Sequence, residues 1–317
     1  MTLKRKILYS HAFRRLMRWS KRVVLPGFGG FDLFQISRFF FDALAEGQIV
    51  MRASAIAFKL FVAFFPALIV LLTLIPYVPV QDFQEKLLSA FNEMMPVEVY
   101  KFIESTLHDL VVRKHGALLS VSFLIGLYVA SNSINAILMG FSGSANHTKW
   151  HSPLRQRLLS LGLLVALTLL TVISIPLLTF SGTAIRWLNE SGYLNTGIQL
   201  IVLFIIKWLF SVLIVMISVS LLYSAGDPHA KRFKLITPGA LLAVFLILII
   251  SQVLAYMFGH VTNYNALYGS IGAILAVQLW FYLNMVAILI GYELNTSITK
   301  AHLEHRSKLA VSMEAAS

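Results

Sequence analysis

The sequence predicts an all-α, polytopic membrane protein with six transmembrane helices, N-terminal interfacial helices and an amphipathic helical insertion on the outer side. Three observations carry this. The 317-residue chain is 58% hydrophobic and 13% charged, with a mean hydropathy of +0.77, too apolar for a soluble domain of its size. Six windows of 23 to 26 residues are apolar, each enough to cross a hydrocarbon layer of about 30 Å. Lys and Arg gather in alternate connections between those windows, as the positive-inside rule requires of an even-numbered bundle.

Residues 1–24 carry eight Lys or Arg, with Leu8, Ala12, Leu16, Trp19 and Val23 interleaved at helical spacing. This pattern predicts a basic helix lying on a membrane surface. Pro26-Gly27 and Gly29-Gly30 interrupt the start of the chain before any clean apolar core, so a cleaved signal peptide is not expected. The segment from Phe31 to Glu46 is rich in Phe but holds Asp32, Arg38 and Asp42. It is too short and too charged to cross, and is expected to be an interfacial or re-entrant helix.

The expected spans are Ala53–Pro76, Leu118–Phe141, Leu158–Phe180, Ile198–Tyr223, Leu235–Phe258 and Ile271–Leu294. Pro66 and Pro176 fall inside helices, where each frees a carbonyl and permits bending. Pro238 sits in a first turn, where its missing N–H is harmless. The connection 80–117 places Phe83, Leu87, Leu88 and Phe91, then Val99, Phe102, Ile103, Leu107 and Leu110 at helical spacing. It predicts two amphipathic helices around Pro96. The organisation is a basic interfacial segment over 1–48, one six-helix membrane domain over 49–298 that includes the 80–117 insertion, and a tail over 299–317.

Charge gives the bundle a direction. The N-terminal segment, Lys149, Arg155 and Arg157 in 142–157, Lys231, Arg232 and Lys234 in 224–234, and Lys300, Arg306 and Lys308 in the tail all fall on one side. On the other side the 80–117 insertion has six acids against four bases, Arg186 stands opposite Glu190, and 259–270 has no charged residue. Both termini are therefore expected in the cytoplasm. The net charge of +12 is spread as topology signals, so no nucleic-acid partner is expected. With no Cys, and nine scattered His, thiol chemistry, zinc binding and any other metal or cofactor site are not expected. No nucleotide-binding motif is present, and paired acids for two-metal phosphodiester chemistry are missing from the membrane region. An enzyme is not expected.

Ionisable groups inside a membrane are expensive and mark function until a partner makes them structural. Lys207 lies about 14 Å below the outer face, with Gln278 and Gln252 at about 10 and 9 Å. The three are candidates to contact an anionic head group, against a structural lysine as the plain alternative. Lys59, Asn132, Asn135 and Asn284 fall at about 20 to 26 Å, with Glu293 near 33 Å. Lys59 is expected to reach Glu293. Asn132 and Asn135 share a helix face suited to interhelical hydrogen bonds. The layer reads either as polar glue or as the lining of a hydrophilic path.

The run Tyr264-Asn265-Ala266-Leu267-Tyr268-Gly269-Ser270-Ile271-Gly272-Ala273, then Leu279-Trp280-Phe281-Tyr282 and Gly291-Tyr292-Glu293-Leu294-Asn295, resembles the signature of the YihY/BrkB family of bacterial inner-membrane proteins. Lys234-Leu235-Ile236-Thr237-Pro238-Gly239-Ala240, and Arg52-Ala53-Ser54-Ala55-Ile56-Ala57 with Pro66, support the resemblance, which covers roughly residues 45 to 300. Lys59 and the 130–150 stretch depart from the family pattern. The resemblance implies a six-helix, multi-pass inner-membrane protein of the bacterial envelope, with the insertion in the periplasm. It implies membrane lipids and envelope-biogenesis proteins as partners, and transport of a phospholipid or lipopolysaccharide precursor as the activity. A non-transporting scaffold and an anion or small-solute channel are the alternatives. The ribonuclease label once attached to the family finds no support in these residues.

Overall fold

The computed structural model describes residues 23, 30–46, 48–78, 82–94, 97–144, 152–190, 197–228, 233–260 and 263–314. All regular structure among them is helical. In chain order the helices are α1 (Leu33–Glu46), α2 (Ile49–Leu74), α3 (Phe83–Met94), α4 (Val97–Val112), α5 (Gly116–Ser142), α6 (Pro153–Glu190), α7 (Gly197–Gly226), α8 (Pro238–His260) and α9 (Asn263–Glu314), with a short 3-10 turn at Ile75–Tyr77. Six segments are long and apolar enough to cross a membrane: Ile49–Tyr77, Gly116–Ser142, Pro153–Ser174, Ile201–Gly226, Pro238–Phe258 and Ile274–His305. They match the six expected spans one for one.

The helices differ from expectation mainly in length. The sixth span does not stop at Leu294; α9 is a single helix of 52 residues. No Gly or Pro occurs between Gly291 and Glu314, so nothing in the backbone ends the helix at the membrane edge. The 259–270 loop is likewise mostly helix, because α8 reaches His260 and α9 begins at Asn263. Helix α6 extends to Glu190, which puts Arg186 and Glu190 in helix instead of loop. The basic helix expected over residues 1–24 lies outside the described residues, Val23 apart.

Helix α1 is the short aromatic-rich segment. Asp32 caps it by accepting from the Gln35 N–H at 2.7 Å, an Asp-x-x-Gln start that satisfies one orphan donor. Its buried Ile36 and Ala43 face the extension of α9, where Ile298 and Ala301 are buried. Phe31 packs edge-on against His302 at 4.8 Å, and Lys300 stands over the Phe39 ring. Helices α3 and α4 form the expected amphipathic insertion. It closes the far end of α2: Gln84 donates to the Ile75 carbonyl at 3.1 Å, and Leu107 and Val111 are buried.

The spans form a ring. Each packs on the next in chain order, α9 closes the circle against α2, and α5 reaches across to α7 and α9. The α2–α5 pair shows why this sequence packs so closely. Gly126 lies against Pro66, Ser133 Oγ donates to the Lys59 carbonyl at 2.8 Å, and Gly140 lies against Ile56 while its carbonyl accepts from Arg52. Both helices advance seven residues between these meeting points, the repeat that keeps a seam aligned in a left-handed crossing. Small residues on the α5 seam allow the backbones to approach.

The core sits at one end. Its buried residues include Ile49, Ile56, Ile137, Phe141, Val219, Tyr223, Ala240, Ala243, Leu289 and Tyr292, all toward the end where the basic connections lie. In the half toward the insertion the helices bury little against one another. Phe123, Leu124 and Ile125 of α5, and Phe204, Ile205 and Ile206 of α7, are each at least half exposed. Three consecutive exposed positions sweep about 200° of a helix, so more than the lipid-facing side is open.

Candidate functional site

At the basic end, Glu293 is fully buried and its Oε1 accepts from Arg52 Nη2 at 2.6 Å. Arg52 Nη1 donates to the Gly140 carbonyl at 2.5 Å. The second carboxylate oxygen accepts from Ser144 Oγ at 2.6 Å and more distantly from Thr296 Oγ1 at 3.4 Å. The carboxylate thus ties α2, the end of α5 and α9 at one point. Breaking one partner of such a buried pair leaves an uncompensated charge and costs about 3 to 5 kcal/mol. Gly143 admits the arginine: a Cβ there would stand 2.8 Å from Arg52 Cδ.

Around this pair each residue of Gly291-Tyr292-Glu293-Leu294-Asn295 has a separate contact, Leu294 packing against the Ile36, Ile298 and Ala301 cluster beside α1. Gly291 lets the backbone of α8 approach, and a Cβ on Gly239 or Gly291 would collide with the carbonyl of the other. Tyr292 stacks on Phe141 at 4.1 Å and donates to the Gly226 carbonyl at 2.8 Å. Tyr223 donates to the Ile288 carbonyl at 2.6 Å, so α7 is held twice. Asn295 finishes the start of α8: its Oδ1 accepts from the Gly239 N–H at 2.8 Å and its Nδ2 donates to Thr237 Oγ1 at 2.9 Å. Thr237 Oγ1 in turn accepts from the Ala240 N–H at 3.2 Å. Pro238 has no N–H to satisfy, so Thr-Pro-Gly-Ala and Glu-Leu-Asn are two halves of one helix cap.

The other candidates divide between this closed end and the open half. Lys207 is half-buried on the same stripe of α7 as half-buried Leu203 and Ser211, while Ile205, Ile206, Trp208 and Leu209 are exposed. Spacing of four puts 203, 207 and 211 on one face, the side of α7 turned toward the ring. The Lys207 ammonium has no hydrogen bond or ion pair among the described residues. Gln278 is half-buried and its Oε1 is a buried acceptor with no partner among the described residues. Gln252 is exposed, and no hydrogen bond among the described residues joins it or Gln278 to Lys207.

Asn135 meets the expectation of an interhelical bond, accepting from Gln156 Nε2 of α6 at 2.9 Å. Asn132 is half-buried. Asn284 is buried and donates to the Trp280 carbonyl of its own helix at 2.7 Å. The expected Lys59–Glu293 contact is replaced by Arg52–Glu293. Lys59 stands seven residues from Arg52 on the same face, about 10 Å further from the carboxylate along the helix axis. Gly272 is buried; the side chains of Tyr264, Asn265, Tyr268 and Gly269 lie outside the described residues. No group of three or more His, Asp or Glu capable of holding a metal occurs among the described residues.

Comparison with known proteins gives these positions a context. A family model described as Virulence factor BrkB matches residues 40–315. The chain belongs to the BrkB family. It is 29% identical to a Bacillus subtilis protein named as ribonuclease-like, YfkH, over 257 residues, covering 81% of this chain and 92% of that one. It is 25% identical to a UPF0761 membrane protein of Xanthomonas campestris over 274 residues, 83% of this chain. The chain spans 60% of the length of that Xanthomonas relative. No solved structure matches it.

Within this BrkB-family chain, sequence reasoning missed Arg52, Ser144, Tyr223 and Thr296 as members of the closed end. Arg52 lies one residue outside the apolar window that starts at Ala53, so it does not count among the ionisable groups inside the spans and enters only through the family resemblance. The usable clue was the seven-residue series 52, 59, 66 facing 140, 133, 126, which fixes which face of α2 meets α5.

Proposed function

We propose that this BrkB-family protein translocates an anionic amphiphile, a phospholipid or a lipopolysaccharide precursor, between the leaflets of the bacterial inner membrane. Its basic end and both termini face the cytoplasm, and its insertion faces the periplasm. The observation that carries the reading is Lys207, a cation on the inward stripe of α7 with no counter-ion among the described residues. A charge at the centre of a membrane helix costs roughly 3 kcal/mol even by the most lenient scale. A phosphate head group entering the open half supplies the missing partner, and Gln278 Oε1 offers an acceptor to its hydroxyl groups.

The one-ended core supports the same reading. Only 6% of the apolar window of the fourth span is buried inside the protein, against 33% for the sixth. The insertion-side half of α7 is thus the least packed part of the bundle, and the Arg52–Glu293 end closes the path on the cytoplasmic side. The proposal assigns no catalysis to the chain.

The test is translocation of fluorescent phosphatidylglycerol in vesicles containing the purified full-length protein. Wild type is expected to move the lipid, and Lys207→Met to slow it by about tenfold or more, the value of one charge-assisted phosphate contact, at unchanged protein abundance. Equal rates for the two proteins remove Lys207 from the path. No lipid movement, with anion current across a planar bilayer instead, replaces the translocator by a channel.

A further inference from the structure

A cleft of about 360 Å³ lies between α6 and the end of α7, lined by Leu158, Leu159, Gly162, Leu163 and Ala225, with Arg155 at one end. We propose that this cleft is a specific site for one anionic phospholipid of the leaflet at the basic end, its acyl chain lying along the leucines and its phosphate on Arg155. The site does not depend on the translocation reading.

Four observations point to this occupant. Arg155 is exposed in the first turn of the Pro153–Ser174 span, the level at which a head group lies. It makes no hydrogen bond or ion pair among the described residues, whereas its neighbour Arg157 is committed to the Tyr128 ring at 5.5 Å. No acid is among the described residues that line the cleft, so its charge is complementary to an anion. Gly162 is the fourth. Glycine inside a helix costs about 1 kcal/mol relative to alanine, and elsewhere in this bundle glycines such as Gly126, Gly140 and Gly239 are explained by a neighbouring helix. At Gly162 a Cβ would meet nothing within 4 Å, so helix packing does not account for it; keeping the floor of the cleft open does.

The experiment is native mass spectrometry of the full-length protein taken from vesicles of equal parts phosphatidylcholine and phosphatidylglycerol. Wild type is expected to retain phosphatidylglycerol in preference to phosphatidylcholine. Arg155→Gln should lower phosphatidylglycerol retention about fivefold, the effect of one basic residue at an anionic surface, with phosphatidylcholine unchanged, and Arg155→Lys should restore most of it. Gly162→Phe should lower retention of both lipids. In a Lys207→Met background, where the path has lost its cation, Arg155→Gln should lower phosphatidylglycerol retention by the same factor, which separates this site from the path. Wild-type retention by Arg155→Gln, or loss of both lipids alike in that variant, overturns the proposal; should Gly162→Phe fail to fold, the Arg155 pair alone decides.

Discussion

Arg52 and Glu293, 241 positions apart in the chain, meet at 2.6 Å with the carboxylate fully buried and the guanidinium 12% exposed. One lies on the first span and the other on the sixth, so this contact closes the ring of helices. The same carboxylate also holds Ser144 at the end of α5. The basic end of the bundle is consequently its rigid end.

Glu293→Gln should therefore lower stability by about 3 kcal/mol, and Arg52→Met by at least as much, since Glu293 has less access to water than its partner. The double variant Arg52→Met/Glu293→Gln should recover part of the loss, because neither charge is then stranded. Thermal unfolding of the four proteins in one detergent gives the coupling.

Gly239→Ala should be among the most damaging small substitutions in the chain. Its methyl group would enter the Gly291 carbonyl and the Asn295 side chain, neither of which yields without moving α8 from α9. A loss of about 3 kcal/mol, at the upper end of overpacking effects, is expected in the same unfolding assay.

Gly140→Ala and Gly162→Ala should act in opposite directions although both glycines lie inside helices. A Cβ at Gly140 would be 2.5 Å from Ile56 Cδ1, so the buried Ile56 side chain must leave its rotamer in a packed core and stability should fall by roughly 1 kcal/mol. At Gly162 the space is open, and alanine should raise stability by up to about 1 kcal/mol through helix propensity.

Asn295→Ala should fray the start of α8 by removing the acceptor of the Gly239 N–H and the donor to Thr237. A cost of about 1 to 2 kcal/mol is expected, as for loss of a helix cap. Faster hydrogen exchange confined to the first turn of α8 is the local readout.

The spans were legible because each is a long apolar window, and the insertion because its hydrophobic spacing around Pro96 is helical. The length of α9 was not, since hydropathy marks where the membrane ends and says nothing about whether a helix does. Its continuation is written instead in the absence of Gly and Pro beyond Gly291. The polar layers were legible by depth and not by direction. Depth placed Lys59 and Glu293 within reach of each other, but the face shared by Arg52 and Lys59 assigns the nearer cation. Depth alone also grouped Gln252 with Gln278, although the first is exposed and the second half-buried.

The account turns on a bundle closed at the Arg52–Glu293 end and open around Lys207. The chain has no Cys, so single cysteines placed at Leu203, Lys207 and Ser211, and for comparison at Ser144 and Ser297, can be probed in cells with a membrane-impermeant thiol reagent. The account predicts labelling of the first three from the side of the insertion and none of the last two. Protection of Lys207→Cys from that side, with Ser144→Cys labelled instead, would contradict it.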